Sequence, residues 1–425
     1  MKIAIVGTGI AGNVAAHKLH AAGHDITVFE AGDYVGGHTH THDIEFGGER
    51  HAIDTGFIVF NDRTYPNFIS LLDELGVPSQ ASSMSFSVRR DATGLEYNGT
   101  SMNGLFAQRR NLLSVGFHRM LADILRFHRE APRLLQEDAP EMRLGEWLAR
   151  NGYRGRFVDD YLVPMGAAIW STDPQRMMGF PVRFFVRFLH NHGMLTVNDR
   201  PVWRVVQGGS ARYVDKLVAP WRDRIRLNSP VRTVRRLPHA VQVTAAGHAP
   251  ELFDHVFLAC HSDQALAMLA DPSREEREIL SAIPYQRNEA VLHTDTALLP
   301  RTRRAWAAWN YHVLPGQGEG VALTYNMNIL QGLQSRHTFC VTLNDGGLID
   351  ERKVLRRMVY HHPLFTPAGV AAQARHREIS GVRGTHYCGA WWRFGFHEDG
   401  VVSALEAVKI FEESLDAQRA LPRVA

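Results

Sequence analysis

Residues 2–12 read KIAIVGTGIAG, and the chain runs on through NVAAHKLHAAGHDITVFE to Glu30. Lys2–Val6 is a β-branched run of the kind that forms a buried parallel strand. It enters a GxGxxG turn, Gly7-Thr8-Gly9-Ile10-Ala11-Gly12. A helical stretch from Asn13 to Ala22 follows, then a second strand, Asp25–Phe29, ending at Glu30. Each glycine has a physical job. Gly7 permits the tight turn, Gly9 lets backbone approach a pyrophosphate, and Gly12 lets helix and strand pack closely. The helix N-terminus, with Ile10 and Ala11 in its first turn, offers free N–H groups to phosphate. Glu30, eighteen residues past Gly12, stands where a carboxylate takes ribose hydroxyls. Strand, turn, helix, strand and acid in this order predict a dinucleotide-binding α/β unit.

Working outward, 425 residues with 45% hydrophobic and 21% charged side chains exceed one ordinary core and suggest two domains. The formal net charge is +3, which argues against a dedicated nucleic-acid binder. Of 47 basic side chains only five are lysines, Lys2, Lys18, Lys216, Lys353 and Lys409. Cys260, Cys340 and Cys388 make neither a CxxC pair nor a disulfide framework, which fits a reducing, cytoplasmic compartment. No Cys/His group has metal-ligand spacing, so no metal is expected. No run reaches the length of a membrane span.

Beyond Glu30 come Ala31, then Gly36-Gly37-His38-Thr39, then Asp54-Thr55-Gly56-Phe57-Ile58. GxGxxG, an acidic strand end and a GG pair resemble the glutathione-reductase type of flavoprotein, and in particular the flavin amine oxidase and phytoene desaturase superfamily. The resemblance implies FAD rather than NAD, with a discontinuous Rossmann-like FAD-binding domain and an α+β substrate domain carrying a helical subdomain. In that superfamily Arg usually follows the GG pair and touches the FAD phosphates; here His38 stands in its place. It lacks the guanidinium fork. The resemblance puts Gly56, Phe57 and Ile58 along the flavin and Val231 at the adenine. At the far end, YCGAWWRFGFHEDGV matches a small-Gly-Asp/Glu turn at Gly389, with Ala390 where the acid is usual. Asp399, Gly400 and Val401 match the start of a helix aimed at the flavin edge, read as a loop followed by a helix over 402–415.

The expected domains are 1–60, 201–280 and 381–425 for FAD, and 61–200 with 281–380 for substrate. Residues 61–200 read as mostly helical, and a helix is expected around Val354–Tyr360. Within 111–135, leucines at helical spacing alternate with Arg119, Arg126, Arg129 and Arg133. The plain reading is a set of packed helices; the sharper one is a basic face on anionic lipid at the inner membrane surface.

Many amine oxidases of the superfamily keep a lysine beside the flavin, and this chain has none between Lys216 and Lys353. A desaturase needs no such lysine. Trp309, Trp391, Trp392 and Phe396 are expected to line a greasy pocket, and His397 and Glu398 are the candidates for proton transfer. Over nearly the whole chain, RPVWRVVQGGSARYV and YCGAWWRFGFHEDGV resemble bacterial NAD/FAD-binding proteins associated with cyclopropane-fatty-acid synthases. That implies hydride transfer from a C–H bond of a methylated or cyclopropanated phospholipid acyl chain to flavin N5. The alternatives are a flavin oxidase of small amines and a flavin-bearing accessory of a synthase-like lipid methyltransferase.

Overall fold

The computed structural model describes residues 1–136, 141–196, 198–314 and 321–420. Lys2–Val6 is the central strand of a five-stranded sheet. Across the sheet the order is Ile225–Arg226, Asp25–Phe29, Lys2–Val6, His255–Leu258 and Thr385–Tyr387, and every pair is parallel. The strands come from distant parts of the chain because a parallel sheet needs crossovers, and the chain uses two of them for long excursions. Ile3, Ala4 and Ile5 have no exposed surface, as expected for a strand covered on both faces. The helix Ile10–Ala21 and the last helix, His397–Ala420, lie on the same side of this sheet, where Val14, Leu19, Phe257, Ala404 and Phe411 share one core. Burying a side chain of this size contributes about 1.5–3 kcal/mol.

A seven-stranded sheet forms the second layer. Its order is Val354–Pro363, Tyr285–His293, Cys340–Leu343, Val321–Asn326, Trp309–Val313, Phe86–Arg90 and Leu95–Asn98. All its pairs are antiparallel except Trp309–Val313 with Phe86–Arg90. Short helices between residues 102 and 191 pack a third, aromatic core around Phe127, Phe157, Trp170, Phe185 and Phe188. No helix among the described residues is long and apolar enough to cross a membrane.

The α/β fold is as the sequence suggests, but several elements differ. Val354–Tyr360 is not helical: it belongs to the strand Val354–Pro363, which pairs along the length of Tyr285–His293. Its Met358 and Tyr360, two residues apart, pack on one core, as the period of a strand requires. Residues 61–200 hold three complete strands besides the helices: Ser79–Ala81, Phe86–Arg90 and Leu95–Asn98. The first helix begins at Ile10 rather than Asn13. The last begins at His397, five residues before Val402. Glu398 and Asp399 sit in that first turn, where acids favour a helix by facing its positive end.

Candidate functional site

Ligands of open parallel sheets bind outside the carboxyl ends of the strands, and four segments meet there. Val6 leads into Gly7–Gly12, Phe29 into Glu30, Leu258 into Ala259–His261, and Tyr387 into Cys388–Ala390. Gly7 has φ +103°, and a Cβ there would lie 2.6 Å from the Ala259 carbonyl oxygen. A Cβ on Gly12 would collide with the Gly7 carbonyl oxygen. Gly9 is different, for a Cβ there meets no atom within 4 Å. Gly9 opens the helix Ile10–Ala21, which has no side-chain cap and no acid in its first turn. The first N–H groups of this helix therefore have no side-chain cap at its positive dipole end. Glu30 accepts from the Thr8 N–H (2.9 Å), the Thr8 hydroxyl (2.5 Å) and the Gly32 N–H (2.8 Å). Ala31, next in the chain, is exposed. Backbone bonds from Asn228 N–H to the Gly32 carbonyl and from Ser229 N–H to the Glu30 carbonyl bring Val231 alongside.

The GG turn packs on this loop. Gly36 and Gly37 both have positive φ, and a Cβ on Gly37 would stand 3.0 Å from the Gly9 Cα. A Cβ on Gly56 would strike the His38 carbonyl, which accepts the Phe57 N–H at 2.6 Å. Thr39 bonds its hydroxyl to that of Tyr213 at 2.7 Å. Ile58 is buried.

His38 carries a buried Nε2 with no partner. Its ring lies 5.4 Å from that of His362, 6.4 Å from that of His261 and 5.1 Å from Tyr360, and His261 lies 6.0 Å from His361. Burial draws His38 down to about 4, partly opposed by a backbone hydrogen bond at His361. It draws His261 and His362 to about 3, helped by the neighbouring imidazoles. These rings are therefore neutral donors and acceptors at physiological pH. His261, His361 and His362 have no partner legible in the sequence. His261 follows directly on a strand of the parallel sheet, and the carboxyl-end rule could have found it. His361 and His362 arrive on the far strand, which no local pattern reveals.

An open, cap-free helix N-terminus, a cradle only glycine permits, a carboxylate at the second strand's end and an orphaned buried imidazole fit FAD. Gly7, Gly9, Ile10, Ala11 and Gly12 would hold its pyrophosphate and Glu30 its ribose.

The C-terminal candidates take up other work. His397 lies flat on Phe57 at 3.6 Å and bonds through Nε2 to the Tyr213 hydroxyl at 2.7 Å. Burial holds its pKa well below the ordinary value. Glu398 accepts from the Asn67 N–H (3.1 Å), the Asn67 amide (2.7 Å) and the Phe68 N–H (2.9 Å), so it caps the helix Pro66–Glu74. His397 Nε2 and both carboxylate oxygens of Glu398, the atoms expected to transfer protons, thus take part in bonds within the protein. Gly400 and Val401 lie inside the helix rather than at its start. A Cβ on Gly400 would come 2.6 Å from Ile10, so this glycine lets the two helices touch. Gly389, at an extended φ of 164°, bonds its N–H to the Ser403 hydroxyl at 2.6 Å, with Ala390 next. Tyr213, within the RPVWRVVQGGSARYV stretch but given no role there, links Thr39 to His397.

Asp399 is buried, accepts the Phe396 N–H at 2.9 Å, and has its pKa pushed up to about 7 by desolvation. A raised carboxyl pKa means the folded chain binds the proton more tightly than the unfolded one. Stability is then lost as pH rises from about 4 to about 7. Asp399→Asn removes that loss. The variant's melting temperature should exceed the parent's at pH 8, by the equivalent of about 1–3 kcal/mol, and by much less at pH 5.

The aromatic candidates divide. Trp391 and Trp392 are buried in the core behind the parallel sheet, with Val6, Leu258 and Tyr387, and Trp391 Nε1 donates to the Cys260 carbonyl at 3.0 Å. They do not line a pocket; the tight turn at Gly389 folds them inward. Trp309 and Phe396 are half-buried against the aromatic core, as are Met165, Met194 and Phe394.

A sequence profile described as flavin containing amine oxidoreductase matches residues 10–298. A putative flavin-containing monoamine oxidase of Mycobacterium tuberculosis is 26% identical over 57% of this chain and 53% of its own length. A 1-hydroxycarotenoid 3,4-desaturase of Flavobacterium is 43% identical over 17% of this chain and 14% of its own. The chain thus spans about half, or less, of the curated relatives it matches. Cyclohexylamine oxidase from Brevibacterium oxydans superposes with a TM-score of 0.70 at 16% identity, covering 97% of this chain and 99% of that one. A conjugated-linoleic-acid-producing fatty acid isomerase from P. acnes gives 0.68 at 16% identity, covering 96% and 98%.

Proposed function

The chain belongs to the flavin containing amine oxidoreductase family, and from that premise we propose that this FAD-dependent oxidoreductase acts on the acyl chains of methylated or cyclopropanated phospholipids. The fold does not choose between substrates, since one architecture serves an amine oxidase and a fatty acid isomerase. Side-chain chemistry favours the acyl chain. A cationic amine calls for a free carboxylate, and the carboxylates near the centre are engaged. Asp54 takes bonds from the Thr41 hydroxyl, the Ser210 N–H and hydroxyl, and the Gln331 amide. Glu398 and Asp399 are bonded as described. Lys353, the lysine nearest in sequence to Tyr360–His362, is paired with Asp295 at 2.9 Å. The observation that carries the reading is that Trp309, Phe394, Phe396, Met165 and Met194 each stay half-buried against the aromatic core, uncharged side chains with surface left to meet hydrocarbon.

Bound FAD supplies a hydride acceptor for a C–H bond. The chain's own residues do the rest: the half-buried aromatic and methionine side chains contact the hydrocarbon and exclude water, and the neutral imidazoles of His38, His261 and His362 offer hydrogen bonds without placing a cation beside it. A small amine is the second reading, favoured by the monoamine oxidase relative. Accessory service to a synthase-like lipid methyltransferase is the third.

The FAD-loaded protein mixed without oxygen with phospholipid bearing methyl-branched or cyclopropane chains should lose its visible flavin absorption. Polyamines and monoamines should leave it unchanged. Bleaching by an amine and not by lipid would overturn the acyl reading. Bleaching by neither, with co-purification of the methyltransferase, would favour the third.

A further inference from the structure

Large apolar side chains left in water are usually scattered singly. Here they gather: Met102 is 70% exposed, Leu112 50%, Leu113 90% and Val115 83%. They lie on the helix Met102–Leu105, the turn Arg109–Leu113 and the first turn of the helix Val115–Glu130. The segment is well anchored from beneath, since Phe106, Phe117 and Met120 are buried and the Ser114 hydroxyl caps the Phe117 N–H. The outward aliphatics are therefore a built surface and not a frayed end.

The surface is positive. No aspartate or glutamate occurs from Tyr97 to Ala122. Arg109 donates to the Phe106 carbonyl and the Asn103 amide, and Arg110 to the Gly94 carbonyl, so neither charge is neutralised by these bonds. The turn Arg303–Ala305 packs against Met102–Leu105 and brings exposed Arg303 and Arg304 to the same edge. Glu96, the nearby carboxylate, is turned inward onto the N–H groups of Arg301 and Thr302 at 2.9 Å each.

We propose that this face, with Leu112, Leu113 and Val115 at its tip and Arg109, Arg110 and Arg303 around it, docks on an anionic phospholipid bilayer. Aliphatic side chains enter the acyl boundary while guanidinium groups stay at the phosphates. Each arginine adds attraction that falls off with salt. The inference stands on the surface alone and not on the substrate.

The test floats FAD-loaded protein with vesicles of phosphatidylcholine, with and without phosphatidylglycerol, while retained flavin reports the fold. Partitioning onto the anionic vesicles should exceed that onto neutral ones by about tenfold or more at low salt. Leu113→Asp with Val115→Asp should lower it by at least about tenfold. Arg109→Gln with Arg110→Gln should remove most of the anionic preference, and decides the matter if the first pair loses flavin. Equal binding to both vesicles, binding to neither, or variants that bind like the parent would overturn the proposal, as would capture of an acidic protein without vesicle binding. Vesicle binding without lipid oxidation would uphold this face and count against the proposed substrate; oxidation of detergent-dispersed lipid without vesicle binding would do the reverse.

Discussion

Gly9→Asp should give a folded chain that purifies without FAD. Gly9 has φ −63° and ψ 176°, extended backbone open to any residue. Its Cβ position is empty to 4 Å, so the substitution brings neither strain nor collision. In the cofactor-free chain the new carboxylate stands at an N-cap that now has no side-chain acceptor, where Asp stabilises a helix by about 1 kcal/mol. Against a pyrophosphate the sign reverses. Two like charges about 4 Å apart repel by about 4 kcal/mol at an effective dielectric of 20, which is roughly a thousandfold in affinity. The expected pair of results is a raised melting temperature for the apoprotein and no flavin retained after reconstitution. Gly9→Ala should keep most of its FAD. Gly12→Ala should fail differently, by unfolding, because its Cβ runs into the Gly7 carbonyl. A yellow Gly9→Asp protein would remove the phosphate site from this loop.

The parts of the site that lie within one strand–turn–helix unit are legible in the sequence, because glycine geometry and dipole direction are local. Gly7, Gly9, Gly12 and Glu30 are of this kind. So is the GG turn, whose positive φ at both glycines is a backbone demand the residue type announces. Assignments at the far end fail where a tertiary contact decides. Trp391 and Trp392 look like pocket aromatics until the Gly389 turn folds them behind the sheet. Glu398 looks like an acid beside the cofactor until a helix from 330 residues away presents its N-terminus. The histidine cluster joins residues from three separate elements at positions 38, 261 and 361–362, and no spacing encodes that. Val354–Pro363 became a strand because a partner lay beside it, overriding the weak local pattern.

Arg236→Met should cost about 3–5 kcal/mol of stability and loosen the Gly389 turn with it. The Arg236 side chain is wholly buried and donates to both oxygens of buried Glu276, at 2.7 and 2.9 Å, and to Asp271 at 2.8 Å. Glu276 also accepts the Tyr387 hydroxyl at 2.6 Å and the Ser273 N–H at 2.7 Å. Tyr387 ends the strand that delivers Gly389 to the site, so the ion pair pins this strand from behind. Burial alone would raise the Glu276 pKa, yet bonds from Arg236, Tyr387 and Ser273 hold it below the ordinary carboxylate value. In the parent this is stability present above the unfolded carboxyl pKa and lost as pH falls through the lower folded one. In Arg236→Met the desolvation acts with less opposition, the folded pKa rises, and the sign of the linkage reverses. The variant should therefore be most damaged at neutral pH and recover part of its deficit near pH 5, where Glu276 takes a proton. Adding Glu276→Gln should recover stability at pH 7, since a neutral amide leaves no unpaired charge behind. A single variant equally destabilised at pH 5 and pH 7 would place the cost in lost packing and not in the stranded carboxylate.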